Sequence, residues 1–315
     1  MSGFTTSTTD HLTRSLVWSK ELKDILEDEL IAQRWVRMLE FPDGDTLNIP
    51  SIGQHEINDY VEGTAVKYTA MDTGNFTFTI NEYKSAGTYI TNKQKQDMFY
   101  MNELVSSFVP KQRRAIMKAV ETKILATGPD AQTPADENLI NGAAHRFVGS
   151  GTSEVLHPDD FAKARYALEK ANVPLENLVA IVDPSAEYAF ATTQNISNLS
   201  NNPMWQGVIA EGFSRNMQFR YNVHGFDVYV SNNLKKNTAS EQIDSVTAAA
   251  GVNNLMFSAS SDVTPFVGAW RQLPKVDSEY NKDLQREEYV TTARYDYKLF
   301  RPENMVVVLT DTDQV

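Results

Sequence analysis

The side chains with the widest capacity for acid–base or metal chemistry in this sequence are its five histidines. They lie at scattered positions, which are His11, His55, His145, His157 and His224. None of them has the spacing of a metal-binding pair, and His55-Glu56 lacks the second histidine that a zinc-protease helix requires. The sequence contains no cysteine, so disulfides, thiolate catalysis and cysteine-bound metals are excluded. No metal centre is therefore predicted.

Two other short patterns fall short of a binding site. Asp43 and Asp45 pair two carboxylates, but a calcium loop needs further oxygens at defined spacing, so we interpret them as part of a turn. The Gly-Ser-Gly run at 149–151 fails the dinucleotide-binding pattern, because Glu154 stands where that pattern has its last glycine. The chain also has no phosphate-binding loop and no nucleophile elbow. We therefore predict no cofactor and no enzymatic activity.

The charge of the chain limits what it can bind. Its 315 residues have a net charge of −12, which argues against a broad phosphate-binding face built from clustered Lys and Arg. One basic stretch remains, because Lys111, Arg113, Arg114 and Lys118 fall on one face of a predicted helix. We interpret it as a solvated or inter-subunit face, with contact to nucleic acid as the alternative. No secretory signal and no apolar run of roughly 18 residues is present, which predicts a soluble intracellular protein.

Periodicity, caps and turn residues predict the elements of the fold. Helices are expected at 16–31, at 92–109, from Pro110 to about 128, at 157–171 and from Pro184 onward. Strands are expected at 35–38, 76–80, 85–91, 178–182, 223–230, 255–258, 287–301 and 305–309. Turns are predicted at 41–45 and 72–74, and the stretch 129–156 is predicted to be an irregular excursion. Strands at both ends with helices between them indicate an α+β fold.

Residues 46–92 have the composition of a long β-ribbon whose middle, residues 54–73, is mostly polar. An isolated two-stranded ribbon is marginally stable in water, so this one must lie on another surface. If no domain of the same chain covers it, that surface belongs to another chain. The polar stretch 192–215 carries Met204 and Trp205, and it poses the same alternative, since Trp205 either holds it on its own domain or docks on a neighbouring chain.

Taken in order, these elements resemble the major capsid protein of tailed double-stranded DNA phages, which has the Hong Kong 97-type fold. The resemblance extends over nearly the whole chain and is carried by the order of its elements. It rests on four passages: residues 47–53 (LNIPSIG), 181–188 (IVDPSAEY), 223–234 (VHGFDVYVSNNL) and 286–303, which opens with REEY and closes with RPE.

The resemblance implies a division of the chain into five parts. They are an N-terminal arm (1–45), an extended E-loop with flanking strands (46–91), a peripheral P-domain with a spine helix (92–150), an axial A-domain (151–269) and the closing strands of the P-domain (270–315). In that family the E-loop lies across an adjacent subunit. Some members join subunits through a lysine–asparagine bond, but no partner is identifiable for Lys67, so no cross-link is expected.

The same resemblance implies the function and the partners. Copies of the chain are expected to assemble through hexameric and pentameric capsomers into an icosahedral shell that encloses phage double-stranded DNA without reading its sequence. A portal and a separate scaffolding protein are implied, decoration proteins are compatible with it, and no membrane is involved. The expected location is the virion capsid, after assembly in the bacterial host cytoplasm. Candidate inter-subunit contacts are Trp18, His55, Tyr60, Val66, Lys67, Tyr68, Arg113, Arg114, Met204 and Trp205.

Two other functions remain open from the sequence. One is an encapsulin, a bacterial compartment shell with the same fold that stores a cargo enzyme. The other is a soluble α+β enzyme, which would need a convergent polar pocket and would purify as a small oligomer.

Overall fold

The structure is a computed structural model that describes residues 30–40, 44, 46–52, 59, 61–65, 73–97, 101–192, 219–248, 250–261 and 263–312. Its strands are β1 (Val36–Met38), β2 (Thr46–Ile52), β3 (Thr73–Thr79), β4 (Glu82–Thr91), β5 (Leu139–Ile140), β6 (Ala143–Ala144), β7 (Arg146–Val148), β8 (Leu178–Val182), β9 (Phe219–Val223), β10 (Phe226–Val230), β11 (Gly251–Ser258), β12 (Phe266–Asn281), β13 (Arg286–Leu299) and β14 (Val306–Asp311). Its α-helices are α1 (Asn92–Asp97), α2 (Met101–Ala131), α3 (Pro158–Lys170) and α4 (Pro184–Thr192). Short 3-10 turns occupy Ala32–Trp35, Thr152–Glu154 and Pro302–Asn304. None of the described helices is long and apolar enough to cross a bilayer.

A long four-stranded sheet in the order β1-β12-β13-β4 forms one half of the body. Strands β12 and β13 make an extended antiparallel hairpin, with Phe266 opposite Leu299 at one end and Asn281 opposite Arg286 at the other. The alternation predicted for β13 is confirmed, because Thr291, Ala293, Tyr295 and Tyr297 are all buried. Helix α2 packs on the face that these four side chains present.

A six-stranded mixed sheet, ordered β7-β14-β11-β8-β10-β9, forms the other half. All five residues of β8 are buried, as the short apolar run predicted. One face of this sheet shares a core with α2 and the long sheet, through residues such as Leu255, Phe257 and Val307. The other face packs against α3 and the start of α4, through residues such as Phe161 and Val228. Both faces of the sheet are therefore covered by the same chain.

The predicted start of α3 is confirmed by its capping contacts. The backbone N–H of Asp159 donates to His157 Nδ1, and the Asp160 carboxylate accepts from the N–H of His157 at 2.8 Å. The same carboxylate accepts from the N–H of Ser150 at 3.0 Å, which ties the preceding loop to the helix. Helix α4 begins in the predicted way, because the Asp183 carboxylate accepts from the N–H of Ser185.

The predicted helix break at Pro110 is wrong. Helix α2 runs through Pro110 and also through Pro129, and it ends at Ala131 rather than near 128. Proline removes one backbone hydrogen bond and crowds the preceding turn, which usually ends or kinks a helix. Here Ile116, Val120 and Ile124 are fully packed between the two sheets, and this tertiary packing outweighs the local preference.

Three further predictions need correction. The single strand predicted at 223–230 is a hairpin of β9 and β10, because His224 and Gly225 both have positive φ angles, of 50° and 90°. Such a pair forms the tight turn that antiparallel strands favour. The turn predicted at 72–74 is wrong for Thr73 and Gly74, which belong to β3 and pair with β2. Part of the irregular stretch 129–156 is ordered as the β5–β6 pair and β7.

Gly268 offers a test of how tightly the long sheet is packed. It lies directly opposite Tyr297, and a Cβ at Gly268 would collide with the ring of that tyrosine. We expect Gly268→Ala to lower the free energy of unfolding by about 1–3 kcal/mol, because an overpacked core must shift. Gly87→Ala in β4 is the matched control, since its Cβ would make only ordinary contacts with Val290 and Tyr289. Equal stabilities of the two variants in urea denaturation would contradict the packing.

Asp160 offers a pH test. Its carboxylate is fully buried, and this burial raises the pKa of Asp160 above its ordinary value of 3.8 despite the N–H groups around it. The ionised form is therefore disfavoured in the folded protein, and stability is lost as pH rises through the folded pKa. We expect the unfolding free energy of the wild type, minus that of Asp160→Asn, to decrease between about pH 4 and pH 7. An increase over this range, measured by urea denaturation, would refute the assignment.

Candidate assembly surfaces

The β2–β3 hairpin comprises β2, β3 and the residues between them, and its base is bound to the body of the same chain. Phe78 and Ile80 are buried against Val267 and Ala269 of β12. Phe76 meets Phe300 edge to face, with 4.9 Å between the ring centroids. The predicted half-buried strand at 76–80 is thus confirmed, and its apolar side chains fix the point where the hairpin leaves the long sheet.

Beyond that base, the described residues of the hairpin are largely uncovered. In β2 and β3, Asn48, Pro50, Ser51 and Asn75 are exposed and Ile49 is half-buried, and residues 59 and 61–65 of the connecting stretch are all exposed. Val61 has 61% of its surface accessible. Within the described part of the chain, therefore, only the base of the hairpin is packed. A two-stranded hairpin of this kind is marginal in water until another surface covers it.

Helix α2 carries a buried carboxylate in the middle of its apolar face. Glu121 is 1% exposed, and it accepts from the backbone N–H of Ile31 at 3.0 Å and from that of Ala32 at 2.9 Å. Burial raises the pKa of Glu121, while Arg34 and Arg114 oppose that shift. The carboxylate therefore connects the first described residues of the chain to the helix.

In the basic stretch predicted on this helix, Lys111 and Lys118 are exposed. Arg113 is exposed, whereas Arg114 is only partly exposed and lies within electrostatic range of Glu121. Two residues beyond Glu121, Lys123 is directed toward the sheet and forms ion pairs with Glu82 at 3.2 Å and Asp296 at 3.8 Å. The Lys123 pairs border an open polar groove between α2 and β13 that Asn81, Thr127 and Lys298 also line. Acidic and basic groups alternate there, which suits contact with another polypeptide more than binding of a polyanion.

A second set of charges ties the end of α2 to the loop between β10 and β11. Lys235 Nζ lies 2.6 Å from carboxylate oxygens of both Asp130 and Glu241. Arg146 is almost fully buried and donates to the backbone carbonyl of Glu241. This arrangement joins the helix, β7 and the loop, and it makes the body of the protein a single packed unit.

The described ranges contain no cluster of potential metal ligands. No three His, Asp or Glu side chains there gather closely enough to hold a metal ion. His145 is buried, and its Nδ1 lies 3.1 Å from the carbonyl oxygen of Ala143, while desolvation lowers its pKa. His157 has the capping role described above. Both histidines therefore have structural explanations.

Most of the contact residues predicted from the sequence fall outside the described residues, and they stay predictions. These are Trp18, His55, Tyr60, Val66, Lys67, Tyr68, Met204 and Trp205. The structure instead brings forward Val61, which the prediction omitted, and Glu121. A sequence signal existed for Glu121: it is the only acid among the positions 116, 120, 121, 124 and 125 that make up the apolar face of the helix. Its backbone partners, about 90 residues away, give no such signal.

Comparisons with known proteins agree with this architecture. The chain matches the model of a family described as phage capsid protein over residues 74–308. None of the curated proteins matches the sequence.

Among solved structures, one from Mycobacterium phage Che8 superimposes with a TM-score of 0.70 at 16% identity, covering 95% of this chain and 97% of that one. The capsid of Cyanophage P-SCSP1u gives 0.69 at 14% identity, covering 96% and 93%. The capsid of Ralstonia phage GP4 gives 0.64 at 12% identity, covering 98% of each chain. These similarities confirm the predicted α+β, Hong Kong 97-type fold. Since the family model extends over most of the sequence, the chain belongs to the phage capsid protein family.

Proposed function

We propose that this protein is the major capsid protein of a tailed phage. Its copies assemble through hexameric and pentameric capsomers into an icosahedral shell around double-stranded DNA. The observation that carries this proposal is the β2–β3 hairpin, which is packed at its base and exposed in its other described residues. A hairpin of that kind gains stability when it lies on a neighbouring copy.

Assembly of this type does not need strong individual contacts. Each subunit meets several neighbours, so modest pairwise contacts add up to a stable shell once the arrangement closes. The contacts predicted from the sequence extend this proposal to the arm (Trp18), to the hairpin (His55, Tyr60, Val66, Lys67 and Tyr68), to the helix (Arg113 and Arg114) and to the loop at 192–215 (Met204 and Trp205).

The net charge of −12 fits a wall that holds DNA without adhering to it. Any contact with the packaged DNA is independent of its sequence. A portal, a separate scaffolding protein and decoration proteins complete the proposed set of partners, and the host cytoplasm is the proposed place of assembly. The role is structural rather than enzymatic.

The two alternatives are less well supported. An encapsulin shares the fold, but the family model that matches this chain is that of phage capsid proteins. A soluble enzyme would require a convergent catalytic pocket, and the groove beside α2 is open and contains paired ions instead. Negative-stain microscopy of the purified protein separates the classes, because a small oligomer without particles would favour the enzyme.

Deletion of residues 56–70 tests the role of the hairpin. This segment lies beyond the packed base, so we expect the shortened protein to keep the wild-type thermal transition within a few degrees. It should nevertheless form no shells, because the surface that covers a neighbour is gone. Circular dichroism and negative-stain microscopy provide the two measurements. Normal shells from the deleted protein would rule out this role.

A single substitution provides a sharper test. Val61 and Leu139 are similarly exposed, at 61% and 63%, but Val61 lies in the stretch that connects β2 to β3, whereas Leu139 lies in the β5–β6 pair. We expect Val61→Asp to reduce the yield of particles by about tenfold or more, since a charge buried without a partner in an interface is costly. Leu139→Asp, the matched control, should assemble normally. Equal yields of particles from the two variants would argue against the hairpin as the contact surface.

A further inference from the structure

Residues 31–35 follow at least 30 residues of preceding chain, and we call them the arm root. Ile31 and Ala32 are buried, and Trp35 is 9% exposed. The Trp35 ring meets Tyr229 and Phe257 edge to face, with centroid distances of 5.0 and 5.9 Å. The chain is thus held firmly in the core of the body immediately after its N-terminal segment.

The arm root depends on Glu121 for its backbone hydrogen bonds. It begins a 3-10 turn at Ala32, and the first N–H groups of a helical turn have no partner within the turn itself. The Glu121 carboxylate supplies the missing acceptors: Oε1 accepts from Ile31 and Ala32, and Oε2 accepts from Ala32. One side chain of α2 therefore determines where the arm root sits along the helix.

Stability alone does not explain a carboxylate in this position. Burial of an ionised group is costly, and replacement of buried ionic groups by well-packed apolar side chains is often neutral or stabilising. The surrounding residues Val120, Ile124 and Leu125 form the kind of apolar environment that a leucine would fill. A leucine has no hydrogen-bond acceptor, so it could not hold the backbone N–H groups of Ile31 and Ala32 at one position along the helix.

We propose that Glu121 is a positioning residue for assembly: it fixes the point and the direction in which the N-terminal segment leaves the body. This inference rests on the proposed function. The direction in which the N-terminal segment leaves the body matters only if every copy must contact its neighbours in the same way. An extended chain spans up to about 3.3–3.6 Å per residue, so 30 residues can reach roughly 100 Å. A small displacement of the arm root would thus be amplified at the far end.

Three variants separate positioning from general loosening. Glu121→Leu removes every acceptor, and Glu121→Gln keeps one oxygen that can accept from both N–H groups. Gln112→Leu is the matched control on the same helix, because Gln112 donates to the carbonyl of Tyr289 and accepts from Thr291 of β13 instead of contacting the arm root. Amide hydrogen exchange of unassembled protein, followed by mass spectrometry of peptides spanning residues 30–36, reports the local effect.

The expected exchange pattern is specific. Glu121→Leu should accelerate exchange at Ile31 and Ala32 by about tenfold or more, since each lost hydrogen bond lowers the local opening energy. Glu121→Gln should restore most of the protection, and Gln112→Leu should leave these two amides unchanged. If Glu121→Leu does not fold, Glu121→Asp takes its place, because the shorter side chain should give intermediate exchange. Unchanged exchange in the Leu variant, or in the Asp variant where that replaces it, would overturn the inference.

Particle uniformity provides the second measurement. Glu121→Leu, or Glu121→Asp in its place, should give incomplete particles or a broadened size distribution by negative stain, whereas Glu121→Gln and Gln112→Leu should give wild-type particles. Uniform wild-type particles from a variant whose arm root exchanges rapidly would refute the positioning role while leaving the proposed function intact. Failure of the wild type to form particles in the presence of its proposed scaffolding protein would refute the proposed function, and the exchange data would then stand only as evidence for the hydrogen bonds.

Discussion

The packing of α2 between the two sheets is the contact on which the rest of the molecule depends. Ile116, Val120 and Ile124 of the helix share one core with Tyr295 of the long sheet and Leu255 of the six-stranded sheet. Because this core is continuous, neither sheet has to be stabilised by itself, and the helix can run through two prolines without breaking. The β2–β3 hairpin is attached to this unit, and among its described residues the base packs against the long sheet.

Strand β12 shares a core with the arm root on one face of the long sheet and packs against the base of the β2–β3 hairpin on the other. Phe266 points into the core that contains α2 and the arm root, whereas Val267 and Ala269 point to the opposite side, where Phe78 packs. Neighbouring residues of a strand face opposite sides of its sheet. The arm root and the base of the β2–β3 hairpin are therefore held on opposite faces by one strand. This arrangement suits a subunit that must contact neighbours in several directions.

Local patterns in the sequence were enough to predict the elements that depend on interactions between neighbouring residues. Asp183 with Pro184 specified a helix start, and the alternation through Tyr295 and Tyr297 specified a long strand. The predictions failed where distant packing decides, as at Pro110, or where two positive φ angles turn the chain, as at His224. Strand β12 was not predicted, because its outer half is exposed and polar and its pairing with β13 shifts register between Trp270 and Lys275. The role of Glu121 could not be predicted either, since its partners lie in a distant segment.

The packing requirements of a core also explain why similar capsid structures have low sequence identity to this chain. A chain that shares only 16% of its residues with a capsid structure can keep its fold at a TM-score of 0.70, because a core requires apolar residues of suitable volume at patterned positions. Contacts between copies require more specific residues than a core does, since polar groups must meet specific partners across each interface. The body can therefore tolerate extensive substitution, whereas in the proposed assembly the exposed part of the β2–β3 hairpin and the N-terminal segment must change together with the surfaces they meet. Differences among capsids of this fold should thus be concentrated in these extensions and in the residues that fix where they leave the body.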